Sequence, residues 1–168
     1  MVMSDTAREP EADPRSASIS VYLAGPVGYS SDNGTGWREE IENDYGDQFT
    51  FRNPLAKYNI PADNLSLVEG VSDPNNKKTV GVDEIVKGDK QLLEGSDAVL
   101  VGYEPVRSIG TPMEVMWAYE RGYPIALWPI EGTWMSELSP WYRYHIDHFG
   151  SLASCLQFIS QEVDPDDT

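Results

Sequence analysis

Short runs of apolar residues alternate along the chain with amphipathic segments, and this alternation predicts strands followed by helices. The apolar runs predict strands at residues 19–24, 49–51, 97–102 and 123–128, with a weaker one at 144–149. Apolar positions spaced at helical intervals predict helices at residues 35–45, 82–93, 112–121 and 151–161. Strands that are apolar throughout are expected where helices cover both faces of a sheet. The pattern therefore predicts an α/β fold with a flavodoxin-like, doubly wound, mostly parallel sheet of about five strands.

The middle of the chain differs in composition from its two ends. Residues 1–17 and 163–168 are polar and acidic, so we expect disordered tails on either side of one domain at residues 18–162. Within that domain, residues 57–78 are polar and contain several turn-forming residues. We interpret this stretch as a functional loop or a lid.

Acidic residues far outnumber basic ones. The chain contains 28 Asp and Glu against 12 Lys and Arg, which gives a formal net charge of −16. Such a field repels polyanions and disfavours nucleic acid or an anionic membrane as a partner. Because the acids are spread along the whole chain, we interpret the charge as a halophilic adaptation, in which salt screens the repulsion. An acidic mesophilic protein with acidic tails is the alternative.

No apolar run approaches the ~18 residues that a membrane-spanning helix needs. The first residues also lack the basic and apolar segments of a signal peptide, so a cytoplasmic protein is expected. Cys155 is the single cysteine and excludes an internal disulfide. It shares a helical stripe with Leu152, Leu156 and Ile159, which predicts that it packs in the core.

In doubly wound sheets, ligands bind beyond the carboxyl ends of the strands, where the strand order reverses. For this chain the predicted crevice lies between residues 25–31, which follow the first strand, and residues 103–111, which follow the third. Glycine occurs in both loops, including Gly25 before Pro26, and Gly110. We therefore expect the chemistry of the protein at these two loops.

Glu114 lies in the first turn of a predicted helix at the edge of this crevice. Thr111-Pro112-Met113-Glu114 is typical of a helix start with Thr111 as the N-cap, so a capping role alone would explain the glutamate. A helix N-terminus also stabilises an anion, which is the form that a carboxylate nucleophile needs. The residues leave both interpretations open.

Asp89 interrupts an otherwise apolar stripe on the preceding predicted helix. The stripe consists of Val82, Ile85, Val86, Leu92 and Leu93. A carboxylate on a core-facing stripe is costly unless it is paired, protonated or at a cleft. Either Asp89 reaches solvent at the edge of the stripe, or it is a general acid whose pKa is raised by partial burial and a second carboxylate.

Other polar residues near the crevice have weaker signals. Ser108 is a candidate hydrogen-bond donor to a sugar hydroxyl or a phosphate, and Arg107 adds positive charge, although ordinary loop polarity would explain both. Tyr22 in the first strand is either a core residue or a hydroxyl that orients Glu114. Asp97 opens a strand at the opposite edge, so we expect it to position that strand.

The sequence contains no convincing cofactor or metal signature. The segment Gly25-Pro26-Val27-Gly28 lacks the spacing of a dinucleotide fingerprint, and no P-loop lysine occurs. His145 and His148 are three residues apart but lack a third ligand at a suitable spacing. We therefore predict no metal and no cofactor.

Taken together, the order and spacing of these residues resemble the nucleoside 2-deoxyribosyltransferase family. The likeness is carried by Val21-Tyr22-Leu23-Ala24-Gly25-Pro26, by Asp89 with Asp97 eight residues later, and by Ser108-Ile109-Gly110-Thr111-Pro112-Met113-Glu114 leading to Ala118. It extends from Ile19 to the last predicted helix, apart from residues 57–78.

The resemblance implies cleavage of the N-glycosidic bond of a 2-deoxynucleoside without a cofactor or metal. Glu114 matches the family's nucleophile, which forms a covalent deoxyribosyl-enzyme, and Asp89 matches the aspartate that helps to protonate the departing base. Tyr22 matches the tyrosine that positions the nucleophile. The substrate is then expected against Gly25, Pro26 and Gly110. Family members are commonly homo-oligomers whose sites borrow residues from a neighbouring subunit, so a homo-oligomer is expected.

Ser108 departs from the family pattern, because several transferases have an aspartate six residues before the nucleophile. Serine is similar to the related deoxynucleoside 5′-monophosphate N-hydrolases, in which it helps to hold the phosphate, and Arg107 is compatible with an anionic substrate. The turn at residues 23–26 nevertheless lacks the serine-rich loop of that branch. We favour transfer to an acceptor base over hydrolysis of a nucleoside 5′-monophosphate. A non-catalytic nucleotide-sensing module is the third alternative, although both carboxylates are present.

Overall fold

The computed structural model describes residues 18–27, 30–56 and 81–163. The strands are β1 (Ile19–Ala24), β2 (Phe49–Arg52), β3 (Ala98–Tyr103), β4 (Ile125–Pro129) and β5 (His148–Phe149). The helices are α1 (Gly36–Tyr45), α2 (Val82–Glu94), α3 (Gly110–Glu120), α4 (Pro140–His145) and α5 (Leu152–Glu162). The predicted tail at residues 1–17, the predicted loop at 57–78 and all but the first residue of the predicted tail at 163–168 lie outside the described residues, so those expectations stay predictions. Val163 is described, and it packs against the core of the domain.

The five strands form one parallel sheet in the order β2-β1-β3-β4-β5. This confirms the predicted flavodoxin-like α/β fold. The strand order reverses between β1 and β3, so the loops that follow these two strands separate and leave a crevice at their carboxyl ends. Ala24 pairs with Val101 in the register, which places Gly25 next to Gly102 at the floor of that crevice.

Helices cover both faces of the sheet, as the continuous apolar strands predict. On one face α1 and α5 pack over a core that includes Val21, Leu23, Ile41, Leu100 and Ile159. On the other face α2 and α3 pack over a core that includes Tyr22, Leu93, Val99, Val115 and Ile125. Cys155 is fully buried in the first core, as predicted, and its burial raises the pKa of the thiol to about 11.

The prediction that the apolar stripe of α2 faces the core is wrong for the first half of the helix. Val82 and Val86 are 44% and 46% exposed, and Leu93 is the buried member of the stripe. Leu93 and the half-buried Leu92, both near the end of α2, pack in the second core. Ile85 and Asp89 instead line the cavity described below.

The weak strand predicted at residues 144–149 is also shorter than expected. Helix α4 occupies Pro140–His145, and β5 is limited to His148–Phe149. The Ser139 hydroxyl accepts a hydrogen bond from the backbone N–H of Tyr142, and Pro140 occupies the first helical position. This local helix-start chemistry outweighs the β-propensity of the aromatic residues in the segment.

Candidate active site

A buried tyrosine and a glutamate are in direct contact at the carboxyl end of the sheet. The Tyr22 hydroxyl donates a hydrogen bond to Oε1 of Glu114 over 2.7 Å. Tyr22 is fully buried in β1, and Glu114 is partly buried in α3. Burial raises the pKa of Tyr22, and the negative charges of Glu114 and Asp89 raise it further. The phenol therefore remains protonated and can hold one oxygen of the Glu114 carboxylate in place.

Most of the site residues predicted from the sequence lie around one cavity above this contact. The cavity has a volume of about 320 Å³, which is within the usual range for a small-molecule site. Its lining includes Gly25, Asp89, Arg107, Ser108, Gly110 and Glu114. Tyr22 reaches Glu114 from the sheet below, and Pro26 is buried in the loop after β1. The structure thus brings the two carboxyl groups to the same cavity, while the role of each residue stays a prediction.

A smaller recess of about 50 Å³ continues from this cavity toward α1 and the end of β2. Asp89 and Glu114 line it as well, together with Arg38, Pro54 and Leu55. The two carboxyl groups therefore lie between an open cavity on one side and a narrow recess with a buried arginine on the other.

The start of α3 differs from the prediction in a way that changes the interpretation of Glu114. The helix begins at Gly110, and its N-cap is Ile109, whose side chain cannot cap. The Ser108 hydroxyl accepts a hydrogen bond from the Thr111 N–H over 3.3 Å and donates one to the Thr111 hydroxyl over 2.8 Å. Glu114 consequently lies in the second turn, so the predicted N-cap at Thr111 and the capping role of Glu114 are wrong.

Ser108 and Asp97 both make hydrogen bonds that support the fold. The Ser108 hydroxyl stabilises the first turn of α3, and Ser108 also lines the cavity. Asp97 accepts a hydrogen bond from the Ser20 N–H over 2.8 Å, and its own N–H donates to the Ser20 carbonyl over 2.7 Å. The expected role of Asp97 at the start of the strand is confirmed. Arg107 is exposed at the rim of the cavity.

Arg38 is the residue of the site that sequence reasoning missed. It lies in the first half of α1 and is fully buried, although a lone arginine beside Glu39 and Glu40 is typical of a solvent-exposed helix face. Burial lowers the pKa of Arg38 to about 10, but Glu114, Tyr22, Asp32 and Asp89 oppose this shift. Arg38 therefore keeps its positive charge at neutral pH. Gly34 and Gly36 were the available sequence signal, since two glycines at the start of a helix indicate a close approach of the backbone.

The two histidines make separate contacts within the protein. His145 Nδ1 donates to the Trp141 carbonyl over 2.7 Å, and His148 Nε2 lies 3.0 Å from the Ser154 hydroxyl. Across residues 18–27, 30–56 and 81–163, no group of three or more His, Cys, Asp and Glu side chains could hold a metal ion. Within the same ranges, no helix is long and apolar enough to cross a membrane.

No protein-family model and no curated protein sequence matches the chain. Solved structures do match. One is a 2-deoxyribosyltransferase from the psychrotolerant bacterium Bacillus psychrosaccharolyticus, with 16% identity and a TM-score of 0.55 over 86% of this chain and 92% of that one. Another is a conserved protein from Enterococcus faecalis V583, with 15% identity and a TM-score of 0.55 over 88% of this chain and 100% of that one. At these identities the likeness shows a shared fold.

Proposed function

We propose that this protein cleaves the N-glycosidic bond of a 2-deoxynucleoside and transfers the sugar to an acceptor base. The observation that carries the proposal is the 2.7 Å hydrogen bond between Tyr22 and Glu114 beside a cavity that Asp89 also lines. The fold shared with a 2-deoxyribosyltransferase supports the same chemistry. A carboxylate nucleophile next to a second carboxyl group suits displacement at an anomeric carbon.

In the first step of the proposed reaction, a Glu114 carboxylate oxygen attacks C1′ of the sugar. A C–O bond forms as the C1′–N bond breaks, and the electron pair of that bond leaves with the base. Protonated Asp89 donates its proton to the base and becomes a carboxylate. The products of this step are free base and a deoxyribosyl ester of Glu114.

In the second step, a nitrogen of the acceptor base attacks C1′ and displaces the Glu114 carboxylate. Asp89 accepts the proton that the acceptor loses, so the enzyme returns to its starting state. Two successive displacements retain the configuration at C1′. Tyr22 holds Oε1 of Glu114 throughout, which leaves the second carboxylate oxygen to react.

Hydrolysis of a 2-deoxynucleoside 5′-monophosphate is the second candidate function. Arg107 and Ser108 line the same cavity as Glu114, immediately before the N-terminus of α3. A positive side chain and the N–H groups of a helix start favour a phosphate group. Water would then replace the acceptor base in the second step, while the first step remains the same.

The proposal includes a homo-oligomer of this chain. Helices α3 and α4 expose large apolar side chains beside the site, among them Met113, Met116 and Trp141. Exposed apolar groups of this kind mark interaction surfaces in many proteins. Light scattering tests the point, and the mass of a single chain would contradict it.

Product analysis separates the candidate functions. The protein is incubated with a 2-deoxynucleoside or its 5′-monophosphate, each with and without an acceptor base, and the products are resolved by chromatography. A new nucleoside formed only with the acceptor supports transfer, and free base formed only from the monophosphate supports hydrolysis. If no base is released under any condition, both enzymatic proposals are wrong and a nucleotide-sensing module remains.

Substitution of the proposed nucleophile tests the covalent step. In Glu114→Ala we expect base release to fall by about 10³-fold or more, because no carboxylate remains to form the ester. Mass spectrometry of acid-quenched wild-type protein should show a deoxyribosyl group on the peptide that contains Glu114. Glu120→Ala is the control, since Glu120 is exposed at the other end of the same helix. Full activity in Glu114→Ala would remove Glu114 from the mechanism.

A further inference from the structure

One fully buried guanidinium holds the end of β1 and the turn before α1 together. Arg38 Nε donates to the Leu23 carbonyl over 3.3 Å, and Nη2 donates to the Gly25 carbonyl over 3.0 Å. Its Nη1 donates to the Gly34 carbonyl over 2.6 Å. The strand end that receives two of these hydrogen bonds is the one that carries Tyr22. Arg38 is therefore connected to Glu114 through one short piece of backbone and the Tyr22 hydroxyl.

The turn before α1 is built around this guanidinium. The Asp32 carboxylate accepts hydrogen bonds from the N–H groups of Gly34 and Gly36 over 2.8 and 2.9 Å. Burial alone would raise the pKa of Asp32, but these hydrogen bonds and one from Ser30 lower it. Gly34 has a positive φ of 74°, and a Cβ there would collide with Arg38 Nη1 and lie 2.5 Å from the Pro26 carbonyl oxygen. Glycine is required at this position because the arginine occupies the space of a side chain.

Charged and titratable groups surround Glu114 from four elements. Tyr22 reaches it from β1, Asp89 and Arg38 share the recess with it from α2 and α1, and Tyr142 interacts with it electrostatically from α4. Burial, Tyr103 and Glu114 raise the pKa of Tyr142, so this phenol stays neutral. Two carboxyl groups at one cavity favour a state in which they share a proton, whereas a nearby cation favours the ionised form. Arg38 supplies that cation.

We propose that Arg38 is a positioning residue for the reaction proposed above, which fixes the end of β1 beneath Glu114 and keeps Glu114 ionised beside Asp89. This inference rests on the proposed function. The positive charge of Arg38 acts on Glu114 across the recess. The three hydrogen bonds of Arg38 act on the backbone that orients Tyr22. A residue with a purely structural role would supply the second effect without the first.

The pH profile of base release distinguishes these roles. In Arg38→Met we expect the acid limb of kcat/KM to move up by about one pH unit, because without the cation Glu114 is protonated at a higher pH. In Arg38→Lys the acid limb should stay near its wild-type position while kcat falls, since lysine keeps the charge but cannot reproduce the three hydrogen bonds. Arg121→Met is the matched control, because Arg121 is at the end of α3 opposite the candidate site. Its guanidinium lies 3.7 Å from the centre of the Trp117 ring.

A folded Arg38→Met variant with an unchanged acid limb would overturn the proposal. Should Arg38→Met fail to fold, Arg38→Gln gives the same test, because it removes the charge and keeps an N–H donor for the backbone carbonyls. If neither variant folds, Arg38 serves the fold alone and the proposal is wrong.

A measurement without substrate keeps this proposal separate from the proposed function. The carboxyl carbon of Glu114 is titrated by NMR in protein with ¹³C-labelled glutamate, and Glu114→Gln identifies the signal. An upward shift of the titration midpoint in Arg38→Met supports the electrostatic role even if no base is released by the wild type. Equal midpoints in the two proteins would reject it.

Discussion

At the scale of single residues, the hydrogen bond between Tyr22 and Glu114 leaves one carboxylate oxygen of Glu114 for the reaction that we propose. A buried hydroxyl needs a partner, because an unpaired one costs about 1–3 kcal/mol. Here the partner is a carboxylate on a different element, so the contact fixes the orientation of α3 relative to β1. In the mechanism that we propose, the orientation of Glu114 therefore depends on a buried residue of the sheet.

Removal of this hydroxyl should reduce activity more than stability. In Tyr22→Phe we expect base release to fall by about 10²-fold, because the carboxylate is no longer held in a reactive orientation. The free energy of unfolding should change by about 1 kcal/mol, the usual size for one hydrogen bond. Tyr45→Phe is the control, because Tyr45 is the last residue of α1, at the end of that helix away from Arg38. Base release at the wild-type rate in Tyr22→Phe would show that Glu114 needs no such support.

The residues of the candidate site differ in how far their positions could be predicted from the sequence. Asp89 and Glu114 stood out because an acid interrupts an apolar pattern or follows a helix-start pattern, and both line the cavity. Arg38 could not be identified in this way, because its neighbours Glu39 and Glu40 are exposed and the helical pattern alone does not show its burial. Its burial depends on backbone carbonyls at the end of β1, and backbone contacts leave little trace in side-chain patterns.

At the scale of elements, two glycines and a tryptophan set the distance between α1 and the sheet. The Trp37 ring packs against Gly25 and Gly102, where a Cβ would lie 2.8 and 2.7 Å from ring carbons. Gly102 is near the carboxyl end of β3, the central strand of the sheet, and Gly25 follows β1. Arg38 follows Trp37 directly, so the position of the Trp37 ring also determines how deeply the Arg38 guanidinium is buried.

A methyl group at Gly102 should disturb both the packing and the site. In Gly102→Ala we expect a loss of about 1–3 kcal/mol in the free energy of unfolding, because the ring or the strand must move. Denaturant unfolding measures the loss, and base release should fall with it as α1 shifts. Gly81→Ala is the control, since nothing lies within 4 Å of a Cβ at that position. Equal stability of the two variants would mean that the Trp37 ring moves without cost.

The elements themselves were predicted with different success. The strands of the centre of the sheet, β1, β3 and β4, have apolar runs that specify burial on both faces, so their order and parallel direction follow from the alternation with helices. Helix α4 was missed because six residues are too few for a periodic pattern. The stripe predicted on α2 divides between three environments, because Val82 and Val86 are exposed, Ile85 lines the cavity and Leu93 packs in the core.

At the scale of the whole molecule, a net charge of −16 on 168 residues opposes compaction. Helix α1 illustrates the repulsion, because Glu39, Glu40 and Asp44 all lie on its exposed surface. Glu40 and Asp44 are four residues apart, a spacing at which like charges destabilise a helix. Salt shortens the range of these interactions and weakens the repulsion.

We accordingly expect the melting temperature to rise with salt. An increase in KCl from about 0.1 M to about 1 M shortens the Debye length from about 10 Å to about 3 Å, which screens most pairs of surface charges. A variant with Glu39→Gln, Glu40→Gln and Asp44→Asn should melt at a higher temperature than the wild type in low salt and gain less from KCl. The matched control changes the same positions to Asp, Asp and Glu, which conserves the charge and should leave the salt dependence unchanged. A wild-type melting temperature that stays constant or falls across this range would contradict the halophilic interpretation, because the acidic surface would then require no counterions.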